Sequence, residues 1–215
     1  MEIKRNKLNP LHFSSGCAKI SLGEFGTILT QSLAHAVALV AKCEKNKTTE
    51  NNEMKKSTLY LTRGALIAAL YTVLTYLTSL FGLSSGVIQF RISEALCVLP
   101  LFMPEAVMGL FIGCILSNIL TGAVFWDVVF GSIATLIAAL ITRALRCLPE
   151  KLKWLATLPP VISNAVIVPF VLIHAYGVTD GYFFLLLTVG IGELVCAVGL
   201  GTMLYYTLKK YNFLN

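Results

Sequence analysis

The chain has 215 residues, of which 56% are hydrophobic and 13% charged, and its mean hydropathy is +0.77. These values lie outside the range of soluble globular domains. The net charge of +6 could suggest nucleic acid as a partner, but the cations gather at the ends of apolar blocks and are not interleaved with aromatic residues. The composition therefore predicts an all-α membrane protein and argues against a nucleic-acid partner.

Residues 1–53 differ from the rest of the chain. They hold seven Lys/Arg and five Asp/Glu, and their one apolar block, residues 33–41, is far too short to span a bilayer. Residues 43–53 have the composition of a solvated linker. Because a short basic segment beginning at Met54 precedes the first long apolar block, we expect Met54 to be the natural start. We interpret residues 1–53 as a disordered or mis-assigned N-terminal extension and residues 54–215 as the membrane domain.

Apolar blocks predict six transmembrane helices, at about residues 59–81, 92–103, 106–120, 128–145, 155–176 and 182–208. The second is short for a span of about 20 residues. With the Met54 end inside, nine basic residues fall on the inner side: Lys55, Lys56, Arg63, Arg143, Arg146, Lys151, Lys153, Lys209 and Lys210. The outer side receives only Arg91. This asymmetry predicts a six-helix bundle with both termini in the cytoplasm.

Polar residues within the predicted spans concentrate in the outer half of the bundle. Glu193 lies roughly 16 Å below the outer end of the sixth span, and Asn164 lies at a similar depth in the fifth. The others begin or end spans on the outer side: Arg91, Glu94, Asn118, Trp126 and Asp127. This pattern predicts a polar binding cavity open to the outside.

Each of these residues could instead serve a purely structural role. Asn118 and Asn164 could serve only as interhelical hydrogen-bond partners. Arg91 and Glu94 are three residues apart and could pair only with each other on one helix face. Trp126 is typical of the interfacial aromatic belt. A mid-membrane carboxylate such as Glu193 usually marks function, because its insertion costs about 2.5–3.5 kcal/mol.

Small residues at four-residue spacing indicate close helix contacts. They are Gly64 with Ala68, Ala65 with Ala69, and Gly109 with Gly113. Such spacing lets another helix approach closely. Either the contacts are internal, or the first span presents a flat alanine face, at Ala65 and Ala69, to another membrane subunit.

Sequence motifs of enzymes and metal sites are either absent from the chain or lie outside the structural setting that they require. The pattern Gly82-Leu-Ser-Ser-Gly86 lies in a short interhelical loop rather than a strand–turn–helix, and no Gly-Lys dipeptide forms a nucleotide-binding loop. The six cysteines (17, 43, 97, 114, 147 and 196) form no CxxC pair. No catalytic activity, cofactor or metal is therefore expected, and energy for transport would come from an ion gradient or a partner.

Four segments resemble the QueT-type queuosine-precursor transporters: Leu61-Thr-Arg-Gly-Ala-Leu-Ile-Ala-Ala-Leu70, Ile88-Gln-Phe-Arg-Ile-Ser-Glu-Ala-Leu96, Gly109-Leu-Phe-Ile-Gly-Cys-Ile-Leu-Ser-Asn118 and Asp127-Val-Val-Phe-Gly-Ser-Ile-Ala-Thr-Leu136. These transporters are six-helix substrate-binding (S) components of energy-coupling-factor (ECF) transporters. The resemblance implies capture of a 7-deazaguanine such as preQ1, preQ0 or queuine at a bacterial plasma membrane. It also implies docking through Ala65 and Ala69 on a transmembrane coupling subunit driven by two cytoplasmic ATPases.

On this basis we assign residue roles as hypotheses. Glu193 or Glu94 would accept two hydrogen bonds from the guanine-like edge. Asn118 and Asn164 would read the remaining donors and acceptors, with Phe90 or Trp126 stacking on the ring; Arg91 and Asp127 complete the expected site. The alternatives are an S component for another vitamin-like molecule and a membrane scaffold without a small ligand.

Overall fold

The computed structural model describes residues 54–82 and 90–210, together with Thr27, Thr30 and Gln31. Predictions for the remainder of residues 1–53 and for the loop at 83–89 lie outside the described residues. Every regular element in the described part of the chain is helical. The predicted all-α class is therefore confirmed for this part.

The long α-helices are α1 (Met54–Leu80), α2 (Glu105–Leu120), α3 (Phe125–Ala144) and α4 (Leu158–Tyr176). The last crossing begins with α5 (Tyr182–Glu193), widens into a π-helical segment (Leu194–Leu200), and continues as α6 (Gly201–Lys210). Three 3₁₀ helices complete the described part: Ile92–Leu101, Leu145–Cys147 and Glu150–Thr157.

Four helices in the described ranges are long and apolar enough to cross a membrane: Ser57–Leu80, Phe125–Cys147, Glu150–Tyr176 and Tyr182–Lys210. The other two predicted spans, 92–103 and 106–120, correspond to the shorter apolar helices Ile92–Leu101 and Glu105–Leu120. A 3₁₀ helix rises about 2.0 Å per residue and an α-helix about 1.5 Å, so these two cover roughly 20 and 24 Å. Both fall short of the hydrocarbon thickness of about 30 Å.

Glycines bring the backbones of α1 and α2 into contact. A Cβ on Gly109 would lie 2.7 Å from the carbonyl oxygen of Gly64, and one on Gly113 would lie 2.9 Å from that of Ala68. The Gly64–Ala68 and Gly109–Gly113 pairs therefore serve internal packing. Because Gly64 faces Gly109 and Ala68 faces Gly113, the two helices run in the same direction. The chain between them must return along the bundle, and the helix Ile92–Leu101 lies on this return path.

The helix Ile92–Leu101 forms the centre of the core. It packs against α1, α2, α3, α6 and the π-helical segment. All of its residues after Ile92 are buried, and Leu96 and Leu99 are fully enclosed. The sequence predicted an unusually short span at residues 92–103, and the structure has a strongly buried 3₁₀ helix that ends at Leu101.

Polar contacts join the helices at one end of the bundle, where α1 and α2 begin and where α3 and α6 end. Most of the basic residues that the sequence placed on the inner side lie here. The contacts are Arg63 Nη1 with Glu105 Oε1 (3.1 Å), Arg143 Nη1 with the Pro100 carbonyl (3.0 Å), and Glu150 with Lys209. The opposite end carries Arg91, Asp127 and Tyr176.

Candidate functional site

Glu193 occupies the last position of α5, where the helix widens into the π-helical segment. Its side chain is buried, and Asn164 Nδ2 of α4 donates a 2.8 Å hydrogen bond to Glu193 Oε1. The other oxygen, Oε2, is buried and has no hydrogen-bond partner. Such an oxygen is costly to bury unless something else pairs with it. π-Helical turns are rare and are frequently found at functional sites.

Glu94 is a second buried carboxylate in the same region, with 1% of its surface exposed. The Tyr71 hydroxyl donates to Glu94 Oε1 at 2.6 Å, and the Cys97 thiol lies 3.1 Å from Glu94 Oε2. The helix that carries Glu94 packs against the π-helical segment that begins directly after Glu193. Two carboxylates from different helices therefore share one buried region of the bundle.

Arg91 forms its ion pair with Asp127, at 3.9 Å between Nη2 and Oδ2, and not with Glu94. The predicted alternative in which Arg91 and Glu94 pair only with each other is therefore wrong. The Tyr176 hydroxyl donates to the same Asp127 oxygen at 3.1 Å. Burial disfavours the charged guanidinium, but the Asp127 carboxylate outweighs this and raises the pKa of Arg91 above its ordinary value.

Asn118 lies close to this ion pair, but its side chain already makes contacts within the protein. Its Nδ2 donates to the backbone carbonyl of Asp127 at 3.4 Å and contacts Cys114 Sγ at 3.7 Å. It also lies 3.2 Å from the position that a Cβ on Gly131 would occupy. These contacts join α2 to the first turns of α3, which is the interhelical role that the sequence left open for Asn118.

The two aromatic residues proposed for stacking are not part of the buried cluster. Trp126 is 55% exposed and stacks on Phe130, with ring centroids 5.9 Å apart. Phe90 is partly exposed beside Arg91. Trp126 is therefore placed like a residue of the membrane–water interface and not like a residue that lines a binding site.

The α1 helix has two faces of small residues. Gly64 and Ala68 face α2, as described above, whereas Ala65 and Ala69 are exposed. Val73, one turn further, is also exposed, at 55%. The exposed alanines therefore lie in an apolar stripe along the outside of the bundle.

The sequence analysis did not select Tyr71 or Tyr176 for the site. Tyr71 lies in the middle of an apolar helix and is completely buried. A buried tyrosine hydroxyl usually needs a hydrogen-bond partner, and that signal could have pointed to Glu94. Among the described residues, no group of three or more His, Cys, Asp or Glu could hold a metal ion. The thiols of Cys97, Cys114 and Cys196 are free and buried, whereas Cys147 is exposed.

A helical membrane bundle with buried charged groups of this kind is characteristic of transport proteins. The family model of the QueT transporter matches residues 61–210 of the chain, and the chain belongs to this family. Together with its four helices that are long enough to cross a membrane, this family membership makes it a multi-pass membrane protein.

A curated relative from Lactococcus lactis subsp. cremoris (strain MG1363), named "Queuosine precursor transporter QueT", is 41% identical over 86 residues. The aligned part covers 39% of this chain and 50% of the relative, so the match spans about half of that protein's length. No solved structure matches the chain.

Proposed function

We propose that the chain is the substrate-binding membrane subunit for uptake of a queuosine precursor of the 7-deazaguanine class. The observation that supports this most directly is the buried Glu193 Oε2, which has no hydrogen-bond partner. Membership of the QueT transporter family and the name of the Lactococcus relative support the choice of substrate.

The chemistry of the guanine-like edge suits Glu193. This edge presents a ring N–H and an exocyclic amino group side by side, and a carboxylate accepts two such parallel hydrogen bonds. An ionised carboxylate offers about four acceptor positions, of which Asn164 occupies one. Glu94 already holds the hydroxyl of Tyr71 and the thiol of Cys97. Glu193 therefore has the greater capacity for the heterocycle, with Asn164 fixing its orientation.

Six crossings with both termini in the cytoplasm complete the proposed architecture. The parallel direction of α1 and α2 supports a return crossing between them, because each helix begins at the end of the bundle where Arg63 meets Glu105. The concentration of Lys and Arg at this end supports its cytoplasmic placement. The site then opens to the outside, where Arg91, Asp127 and Tyr176 form its rim.

The proposed energy source is an ECF module with a transmembrane coupling subunit and two cytoplasmic ATPases. The sequence carries no nucleotide-binding loop of its own. The exposed stripe at Ala65 and Ala69 offers a flat surface on which another helix can pack closely. Docking would occur through this surface of α1 within the bacterial plasma membrane.

Ligand binding by the purified protein in lipid nanodiscs tests the proposal. We expect a 7-deazaguanine to bind and Glu193→Gln to weaken binding by at least about tenfold, because one carboxylate–ligand hydrogen bond contributes about 1.5–3 kcal/mol. Glu105→Gln is the matched control, since Glu105 is also buried but pairs with Arg63 at the other end of the bundle. Undiminished binding by Glu193→Gln would contradict the assignment of this residue.

The same preparation separates the alternatives. An S component for another vitamin-like molecule would carry that compound through purification, where mass spectrometry would identify it. A scaffold without a ligand would bind neither class of compound. The unpartnered Glu193 Oε2 counts against the scaffold, in which the polar residues would satisfy only one another.

A further inference from the structure

We propose that the end of the bundle where α1 and α2 begin binds the headgroup of an anionic phospholipid through Arg146, Lys151 and Trp154. Unpaired cations, an exposed tryptophan beside them and the depth of both in the membrane support this assignment. The lipid surface is separate from Glu94 and Glu193. It requires only that the chain lies in a bilayer, so it is independent of the proposed function.

This end of the bundle carries a large excess of positive charge. The described residues place seven basic and two acidic side chains here. They are Arg63, Arg143, Arg146, Lys151, Lys153, Lys209 and Lys210 against Glu105 and Glu150. Such an excess attracts anions, and the anionic groups that a bilayer supplies at its surface are lipid headgroups.

The two carboxylates at this end are both occupied by other cations. One belongs to the ion pair between α1 and α2, and the other, Glu150, pairs with Lys153 and Lys209. Within the described part of the chain, the ion pairs include neither Arg146 nor Lys151. Both of these side chains are exposed. Their charges are therefore available to an anion from outside the chain.

The 3₁₀ helix Glu150–Thr157 places an indole ring beside one of these cations. A 3₁₀ helix has about three residues per turn, so Lys151 and Trp154 lie on the same face. Trp154 is 45% exposed. An indole has an apolar body and one polar N–H group, which suits the boundary between acyl chains and headgroups. The ammonium and the indole can therefore contact the same lipid molecule.

This 3₁₀ helix is held firmly against the rest of the bundle. The Thr142 hydroxyl of α3 donates a 3.1 Å hydrogen bond to the carbonyl of Ala156, and Ala156 itself is fully buried. The segment Leu145–Cys147, which carries Arg146, packs against the same helix. The guanidinium, the ammonium and the indole therefore belong to one supported surface.

The length of α4 places this surface at the level of the headgroups. The helix has 19 residues and is about 28 Å long, close to the hydrocarbon thickness of about 30 Å. The 3₁₀ helix Glu150–Thr157 directly precedes it and therefore extends into the headgroup layer. There Arg146 and Lys151 can reach a lipid phosphate. An acidic soluble protein would satisfy the cations but gives no reason for an exposed Trp154 at this depth.

Fluorescence quenching in nanodiscs tests the proposal, because the chain has two tryptophans, Trp126 and Trp154. The variant Trp126→Phe leaves Trp154 as the reporter of this surface. The nanodiscs contain equal amounts of phosphatidylglycerol and phosphatidylcholine, with one or the other brominated near the glycerol end of its acyl chains. We expect phosphatidylglycerol to be enriched at least about threefold around Trp154, since a cation near the surface favours anionic lipid by roughly fivefold.

Two changes should remove this preference. Replacing Arg146 and Lys151 with Gln in the same background should bring the two lipids to within about 1.5-fold of equal quenching. Raising the salt to about 1 M should reduce the preference without any further substitution, because exposed charges are then screened. The matched control is Trp154→Phe, which leaves Trp126 at the opposite end of the bundle as the reporter and should show no preference.

Three results would overturn the proposal. The first is equal quenching of Trp154 by the two lipids, which would leave an acidic protein segment as the partner of this surface. The second is an unchanged preference in the Arg146 and Lys151 double variant. The third is a preference of the same size at Trp126, which would show that the anionic lipid gathers around the whole protein and not at this surface.

Discussion

Asn164 of α4 donates a hydrogen bond of 2.8 Å to one oxygen of Glu193, at the junction between α5 and its π-helical continuation. The bond joins α4 to the last crossing of the bundle. The second oxygen of the same group remains buried and unpaired. We propose that the Asn164 amide orients this unpaired oxygen toward a ligand, and this proposal leads to the first prediction.

Replacing Asn164 with Ala should weaken binding of a 7-deazaguanine by about tenfold, because Glu193 loses the donor that fixes its orientation. Isothermal titration calorimetry in nanodiscs would measure the change. Ser163→Ala is the control, since Ser163 is the neighbouring buried polar residue of α4. Equal affinities for the wild type and Asn164→Ala would show that the amide does not position the carboxylate.

Gly113→Ala should destabilise the bundle by about 1–3 kcal/mol, because the new Cβ would lie 2.9 Å from the Ala68 carbonyl and force α1 and α2 apart. The measurement is the thermal unfolding midpoint in detergent. Gly190→Ala is the matched control, since its Cβ would meet only the Ala165 side chain at 3.7 Å. We expect that control to unfold at or above the wild-type midpoint. Equal midpoints for Gly113→Ala and the wild type would refute close backbone packing.

Tyr71→Phe should lower the stability by about 1–3 kcal/mol, because it removes the hydroxyl that lies 2.6 Å from Glu94 Oε1 and leaves a buried carboxylate oxygen without that donor. Thermal unfolding of the ligand-free protein measures the loss. Tyr60→Phe serves as the control, since Tyr60 is 46% exposed on the same helix. If both variants unfold at the wild-type temperature, the Tyr71–Glu94 bond contributes nothing to stability.

Replacing both Ala65 and Ala69 with Leu should abolish uptake while leaving ligand binding within about twofold of the wild type, because the added side chains prevent close helix approach at an exposed face. Uptake of radiolabelled ligand in cells that also express a coupling module, with binding measured in parallel, separates the two effects. Val166→Leu adds bulk at an exposed position of α4 and should transport normally. Normal uptake by the alanine double variant would rule out docking through this face.

Most of the helices were predicted from the sequence, but the short buried helix at residues 92–101 was not. The α1, α3 and α4 helices and the last crossing follow from long apolar blocks, because hydropathy is a local property of the chain. The prediction treated residues 92–103 as one more span, whereas the structure has the short 3₁₀ helix Ile92–Leu101. Seven other helical elements of the described chain pack against this short apolar segment. Its role in the core arises from that packing and not from its own length.

The sequence selected several of the polar residues that lie in the buried cluster, whereas their pairing required the tertiary structure. The sequence identified Glu193 and Asn164 as polar groups at similar depth, and the two are in direct contact. It could not determine that Arg91 pairs with Asp127 rather than with Glu94, three residues away. Spacing along a helix describes neighbours within one element, but the rotation and register of packed helices decide the partners between elements.

The sequence by itself predicted a helical membrane protein with polar residues within its apolar segments, because hydrophobicity and charge along the chain govern which segments enter a bilayer. Only the tertiary structure decided which of those polar groups satisfy one another. It left one oxygen of Glu193 unpaired and two buried carboxylates without a cation among the described residues. These features depend on the relative rotation of the helices, which local hydropathy does not encode.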